Sequence, residues 1–174
     1  EEAESLLRDI THIASSLRQI SLNTNSVTVT DRDFSGLILG ILHELQVAAQ
    51  SIKRNTRETR LMAVWSLQMA LEKTLKSLAK QVSGQFRESH DLFLLFDDLP
   101  SDLRCADRNL LKRFPRQDFT VEARYGVNSE ITSVEVFRFY KDVLDFIKVI
   151  SKGYKRDLYF GGAQFLLQMP PWQK

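Results

Sequence analysis

Apolar residues recur every three or four positions along most of the chain, which is the periodicity of an amphipathic α-helix. The four prolines lie outside the periodic segments, as expected because proline interrupts a helix. The pattern predicts helices at about residues 2–20, 31–54, 55–82, 90–99, 102–112 and 133–151. We therefore expect an all-α fold, an up-and-down bundle of five to six helices.

The third predicted helix has the most regular apolar face, and we expect the other helices to pack around it. That face consists of Leu61, Val64, Trp65, Leu71, Leu75, Leu78 and Val82. The last long helix is expected to lie against it. Together the helices form one domain over residues 1–152, in which helix 2–20 precedes a core of about residues 31–152.

Residues 153–174 form an apolar tail interrupted by Gly161-Gly162 and Pro170-Pro171. Its large apolar residues are Tyr159, Phe160, Phe165, Leu166, Met169 and Trp172. Such a segment is expected to dock on a surface, and two interpretations are open. The tail packs back on its own domain, or it covers a partner protein.

Several residues have the chemistry and spacing of helix ends. The predicted N-terminal caps, in chain order, are Asn55 with Glu58, Ser89, Ser101, and Thr132 with Glu135. Gly84 is expected to end the third helix. On the second helix Gly36 and Gly40, four residues apart, predict a shallow patch where another helix approaches closely, most simply within the same molecule.

Composition adds limits on function. The chain has 174 residues, 43% hydrophobic and 26% charged, which is ordinary for a folded domain, and its formal charge of +2 does not by itself indicate nucleic-acid binding. The single Cys105 excludes an internal disulfide and fits a reducing compartment, so we expect a cytoplasmic protein. No apolar run is long enough to span a membrane, and no spacing of histidines suggests a metal or cofactor. The first residue is Glu1, so the chain could be a piece of a longer protein.

A polar pattern is superimposed on the third helix and the corner after it. It comprises the run Gln68-Met69-Ala70-Leu71-Glu72-Lys73-Thr74-Leu75-Lys76, followed by His90-Asp91-Leu92 and Leu95. A second patch is Ala123-Arg124-Tyr125-Gly126, followed by Glu130-Ile131-Thr132. In order and spacing these residues, over about 58–150, resemble the HEPN family of helical nucleotide-binding domains, although Gly126 stands where that family often has proline.

The resemblance implies a non-catalytic domain that binds a nucleotide or a nucleic-acid phosphate. It also implies an accessory role, as a homodimer or beside a partner protein such as a nucleotidyltransferase, in a defence or toxin–antitoxin system. A purely structural protein–protein interaction module is the first alternative. A metal-independent RNase is the second.

The candidate binding site is a row of cations. Lys73, Lys76 and Lys80 project to one side of the third helix, and Arg87 and His90 follow after the turn, where free backbone N–H groups at a helix start would add to the site. We call these five residues the basic seam. Arg124 and Tyr125 form a weaker second set. The competing interpretation is a solvated helix face, and Glu72 is placed to pair with Lys76.

The RNase alternative depends on spacing. HEPN ribonucleases carry an arginine and a histidine separated by four to six residues, which supply a base and a cation for cleavage of the RNA backbone. Arg87 and His90 are too close for that motif, and so are Arg8 and His12. A further basic group, Arg104, Arg108, Lys112, Arg113 and Arg116, is more typical of a solvated face than of a nucleic-acid surface.

Overall fold

The computed structural model describes residues 2–25, 27–29, 31–115, 119, 122 and 130–156. Within these residues the chain is predominantly helical and has no β-strand, which confirms the predicted all-α bundle. Four long helices, α1, α2, α3 and α5, and one short helix, α4, are accompanied by two 3₁₀ segments. In order the elements are α1 Glu2–Asn25, α2 Arg32–Arg54, α3 Arg57–Ser83, α4 Leu92–Asp97, 3₁₀ Arg108–Arg113, α5 Ser133–Ile150 and 3₁₀ Ser151–Gly153.

The first three helices alternate in direction. A two-residue link, Asn55 and Thr56, joins α2 to α3, so these helices form an antiparallel hairpin. Asn55 has a left-handed backbone, with φ of 54°, and its N–H bonds to the carbonyl of Ser51 to close α2. The capping box of α3 is formed by Thr56 and Thr59, so the predicted box of Asn55 and Glu58 was wrong. Asn55 ends one helix instead of beginning the next.

Helix α5 runs in the same direction as α3. At its beginning Nε of Arg60 donates to the carbonyl of Ile131 at 2.7 Å, and beyond its end Tyr154 and Ser77 share a hydrogen bond of 2.5 Å. The segment between α3 and α5 therefore returns along the bundle. Helix α1 lies beside α5 and parallel to it, because Asp9 pairs with Lys141 at 2.8 Å and Asn23, near the end of α1, bonds to Ser151 just after α5.

The core lies where α3 meets α2 and α5, and it contains Leu61, Val64, Leu71, Leu75 and Leu78 of the predicted apolar face. Val82 of that face is 42% exposed instead. Phe146 of α5 is fully buried, and the rings of Phe96 and Phe114 lie 6.0 and 6.2 Å from it. These two rings come from the returning segment, so that segment is anchored to the bundle by aromatic packing. It contributes Leu92, Leu95, Leu99 and Leu111 as further buried residues.

Helix α1 extends to Asn25, five residues beyond its predicted end, because its last turn is buried. Asn23 donates to Oγ of Ser151 at 2.9 Å, and Oγ1 of Thr24 donates back to the carbonyl of Ile20. Immediately afterwards Val27 forms an isolated antiparallel bridge with Arg156. These residues, which lie beyond the predicted end of the first helix, therefore join the end of α1 to the segment that follows α5.

The remaining cap predictions have mixed outcomes. Thr132 and Glu135 form the expected capping box of α5. The predicted helix at 102–112 is wrong: tight turns replace its beginning, and a 3₁₀ segment capped by Asp107 follows, so Ser101 caps no helix. Ser89 is also not a helix cap, because Asp91 accepts from the amides of Phe93 and Leu94 at the start of α4.

The glycines behave differently from one another. Gly84 ends α3 with φ of 77°, as predicted. A Cβ added to Gly40 would meet the Lys73 side chain at 2.8 Å, so this glycine makes room for α3 within the same molecule. A Cβ on Gly36 would meet nothing within 4 Å.

Among the helices of the described residues, none has the length and apolar character of a membrane-spanning segment.

Candidate functional site

The three lysines of the basic seam are all paired with carboxylates of the same chain. Lys73 reaches Glu44 of α2 at 2.6 Å, and Lys76 reaches Glu72 one turn earlier at 2.7 Å, which confirms that expected pair. Lys80 lies 2.9 Å from Asp31, the residue that caps α2.

Of the three lysines, Lys80 is the one with two carboxylates beside its ammonium group. Its hydrogen bond to Asp31 raises the pKa of the Lys80 ammonium, and a second carboxylate, Asp33, lies 3.5 Å away. The ring of Phe86 lies 5.9 Å from Nζ of Lys80 and 5.5 Å from Nζ of Lys76. An incoming phosphate would therefore have to displace these carboxylates and approach past an aromatic ring.

His90 belongs to a different cluster, built on Glu72. Nδ1 of His90 lies 2.9 Å from Oε2 of Glu72, whose other oxygen accepts from Lys76. Gln68 donates to the carbonyl of His90 at 3.3 Å. The polar residues that carry the HEPN resemblance, Gln68, Glu72, Lys76 and His90, thus form one network that fastens the corner after α3 to the middle of that helix.

The other predicted site residues do not join this network. Arg87 makes two hydrogen bonds to Asp98, and these raise the pKa of its guanidinium. The helix start near His90 does not offer the expected free N–H groups at Phe93 and Leu94, because Asp91 already binds both. Arg124 and Tyr125 lie outside the described residues. The row of free cations predicted from spacing is therefore a set of separate internal pairs.

A concave site nevertheless opens beside His90. It has a volume of about 400 Å³, and we call it the corner pocket. Its polar lining consists of Gln68, His90, Asp91 and Lys112. Its apolar lining consists of Leu92, Phe93, Leu111, Phe114 and Pro115. Mostly apolar walls with a few convergent polar groups are typical of small-molecule sites.

Three residues that line the corner pocket have a polar group without a partner in the described part of the chain. Because a carboxylate only accepts hydrogen bonds, Nδ1 of His90 carries a proton toward Glu72, and Nε2 is the ring nitrogen that remains for a ligand. The His90 side chain is 63% exposed. Oε1 of Gln68 has no hydrogen-bond partner within the described chain, and exposed Lys112 has no ion pair there.

A second pocket, of about 460 Å³, lies on the other side of Phe114 and Pro115. Its charged lining is mainly acidic, with Glu122, Glu130 and Glu135 against Arg113. Such a lining is unsuited to a phosphate group. Of the two pockets, the corner pocket is the better candidate for an anionic ligand.

The corner pocket does not bring an arginine beside His90, as the RNase alternative requires. Arg87 turns to Asp98, Arg108 makes two hydrogen bonds to Asp97, and no arginine lines the corner pocket. No group of three or more His, Cys, Asp or Glu side chains in the described part of the chain could hold a metal ion.

Sequence reasoning found His90 but missed three important parts of this pocket: Phe93, Lys112 and Phe114. Lys112 and Phe114 stood in the basic group at 104–116, where an interleaved aromatic residue was the available signal. That signal could not be placed in the fold, because the position of Phe114 depends on its packing against Phe146 of α5, a residue far away in the sequence.

Comparisons with protein-family models, with curated proteins and with solved structures find no match for this chain. The HEPN resemblance therefore stays a prediction carried by the motif residues.

Proposed function

We propose that this chain is a non-catalytic binding domain that holds a nucleotide in the corner pocket. The observation that carries the proposal is the convergence of Gln68, His90 and Lys112 beside the rings of Phe93 and Phe114. A nucleotide combines a flat base, polar edges and an anionic phosphate. The pocket supplies a matching group for each part: aromatic rings for the base, hydrogen-bonding side chains for its polar edges and a cation for the phosphate.

Each group has a distinct role in this proposal. Phe93 and Phe114 contact the base, whose polar edge bonds to the Gln68 amide and to Nε2 of His90. Lys112 binds the phosphate as a point charge. The Asp91 carboxylate lies in the same pocket and repels further negative charge, so we expect nucleoside monophosphates to bind better than triphosphates.

Calorimetric titration with AMP, GMP, CMP, UMP and the matching triphosphates tests this proposal. Lys112→Ala is expected to weaken monophosphate binding by about tenfold, equivalent to about 1.4 kcal/mol. Phe93→Ala should weaken the binding of every nucleotide tested. Lys53→Ala removes an exposed lysine at the far end of α2 and is the matched control, with no change expected.

Two outcomes would contradict the proposal. One is the absence of heat at millimolar concentration of every nucleotide tested. The other is an equal loss of affinity in Lys112→Ala and Lys53→Ala. Incubation with single-stranded RNA completes the experiment, because cleavage that disappears in His90→Ala would favour the RNase alternative over a binding role.

A second candidate function is a protein–protein interaction module without a ligand. The internal pairing of Lys73, Lys76 and Lys80 favours it, because these lysines then serve the fold and not an external phosphate. Its partner would be a second copy of the chain or another protein such as a nucleotidyltransferase. Light scattering that finds a dimer, together with no nucleotide uptake, would support this candidate.

A further inference from the structure

We propose that Arg108, fixed by Asp97, is a positioning residue of the corner pocket that holds the ring of Phe93 ready to stack on a nucleotide base. The inference rests on the proposed nucleotide site. It adds to that site two residues, Arg108 and Asp97, that do not line the pocket. They act through Phe93 and do not touch the ligand.

Arg108 contacts two residues of α4 at once. Phe93 and Asp97 are four residues apart on that helix, so their side chains are neighbours on one face. Nε and Nη2 of Arg108 donate to Oδ1 and Oδ2 of Asp97 at 2.7 and 2.6 Å. Cζ of the same guanidinium lies over the ring of Phe93, 4.9 Å from its centroid. The carboxylate therefore fixes the cation that covers the ring.

The ion pair itself contributes little to the fold. The side chains of Arg108 and Asp97 are 48% and 40% exposed, and ion pairs at such exposure add little stability. The hydrogen bonds from Arg108 lower the pKa of Asp97, which keeps the carboxylate ionised at neutral pH. A guanidinium held by two parallel bonds has few orientations left. The main consequence of the pair is therefore the place of the cation.

That place leaves Phe93 available to a ligand. Phe93 lines the corner pocket and Arg108 does not, so the cation covers a part of the ring that is turned away from the pocket. Phe93 is also partly buried against the core. A ring restricted on both counts loses less freedom when a base stacks on it, and this raises affinity.

A different explanation is that Arg108 attracts the phosphate by its charge. It belongs to the same 3₁₀ segment as Lys112, which is assigned to the phosphate. The two explanations differ in their dependence on Phe93. Positioning requires the ring, whereas attraction at a distance does not.

Calorimetric titration of the full chain with AMP tests the proposal. Arg108→Met removes the guanidinium and keeps most of the side-chain length. We expect AMP binding to weaken about threefold to fivefold, the range of an exposed cation–π contact. In a Phe93→Leu background, which has an apolar side chain but no ring, the same substitution should have no further effect.

Arg104→Met is the matched control. Arg104 is an exposed arginine whose charge also acts on Asp97, and it does not line the corner pocket. Its loss changes the net charge equally and should leave AMP affinity unchanged. Arg108→Lys keeps the charge but not the two-bonded geometry, so it should restore only part of the affinity. This conservative variant also serves if Arg108→Met lowers the helicity seen by circular dichroism.

The outcomes separate this proposal from the function on which it rests. A loss in Arg108→Met that vanishes without the Phe93 ring, and is absent in Arg104→Met, supports it. If the parent protein binds AMP and Arg108→Met binds it equally well, this proposal is overturned and the nucleotide site stands. A loss that persists in the Phe93→Leu background, or appears equally in Arg104→Met, overturns it in favour of attraction by charge. A parent protein that binds no nucleotide overturns both.

Discussion

Glu72 determines how the polar residues of α3 and the following corner fit together. Its side chain is only 9% exposed, and its two oxygens accept from two different groups, Nζ of Lys76 and Nδ1 of His90. The Lys76 side chain is 11% exposed. A buried ammonium requires a partner, because desolvation of an unpaired charge is costly. Glu72 is therefore a structural residue that also orients His90 toward the corner pocket.

The substitution Glu72→Gln tests this role. Glutamine keeps the size and one acceptor but leaves the buried Lys76 without its counter-ion, so we expect a loss of about 3 kcal/mol in the free energy of unfolding. Urea denaturation measures it. Asp97→Asn breaks the exposed pair with Arg108 and serves as the comparison, with a much smaller expected loss. Equal losses in the two variants would show that Glu72 and Lys76 are not coupled as proposed.

At the scale of the elements, two glycines on neighbouring helices should respond oppositely to the same change. Gly84 closes α3 with φ of 77°, and Gly36 lies inside α2 with ordinary helical backbone. A Cβ would meet no atom within 4 Å at either position, so packing does not distinguish them. The difference rests on backbone conformation alone.

We expect Gly84→Ala to destabilise the protein by about 1 kcal/mol, because an L side chain disfavours the left-handed region. Gly36→Ala should stabilise it by up to about 1 kcal/mol, because alanine has a higher helix propensity. Thermal unfolding followed by circular dichroism gives both values. Shifts of the same sign in the two variants would contradict this account of how α3 ends.

The four long helices were predictable because apolar residues recur along each of them at helical spacing, and most of their limits follow from local chemistry such as the Thr132–Glu135 box. The pairing of the basic seam was not predictable in the same way. The spacing of Lys73 and Lys80 is visible within α3, but their partners, Glu44 and Asp31, lie on α2. Whether they meet depends on the register of the hairpin, which the turn at Asn55 sets.

The corner pocket could be predicted only in part for the same reason, because its residues are far apart in the sequence. His90 could be placed beside the third helix by its closeness in sequence, but Lys112 and Phe114 arrive from the returning segment. Their positions depend on the packing of Phe114 against Phe146 of α5, a contact between residues far apart in the chain. Local patterns predicted the helices; the site required the tertiary arrangement.

For the whole molecule, two carboxylates at helix starts cap their helices, and one of them, Asp31, also connects two helices. Asp31 accepts from the amide of Phe34 at the start of α2 and pairs with Lys80 near the end of α3. Glu135 accepts from the backbone and hydroxyl of Thr132 at the start of α5. The hydrogen bond from Phe34, followed by that from Lys80, lowers the pKa of Asp31, and the bonds from Thr132 lower the pKa of Glu135.

These shifts set the direction of the acid response. A carboxyl whose pKa is lower in the folded state contributes its full stability above its unfolded pKa, here 4.5 for Glu135 and 3.8 for Asp31. Below those values the unfolded chain binds protons first, so the free energy of unfolding should fall as the pH falls.

Asp31→Asn and Glu135→Gln keep the caps but remove the charges, and together they should flatten this dependence in urea denaturation between pH 5 and 3. Glu88→Gln removes an exposed carboxylate that has no ion pair in the described chain, and should leave the slope unchanged. A parent protein that is equally stable across this range would show that the ionised forms of these two carboxylates do not contribute to stability as proposed.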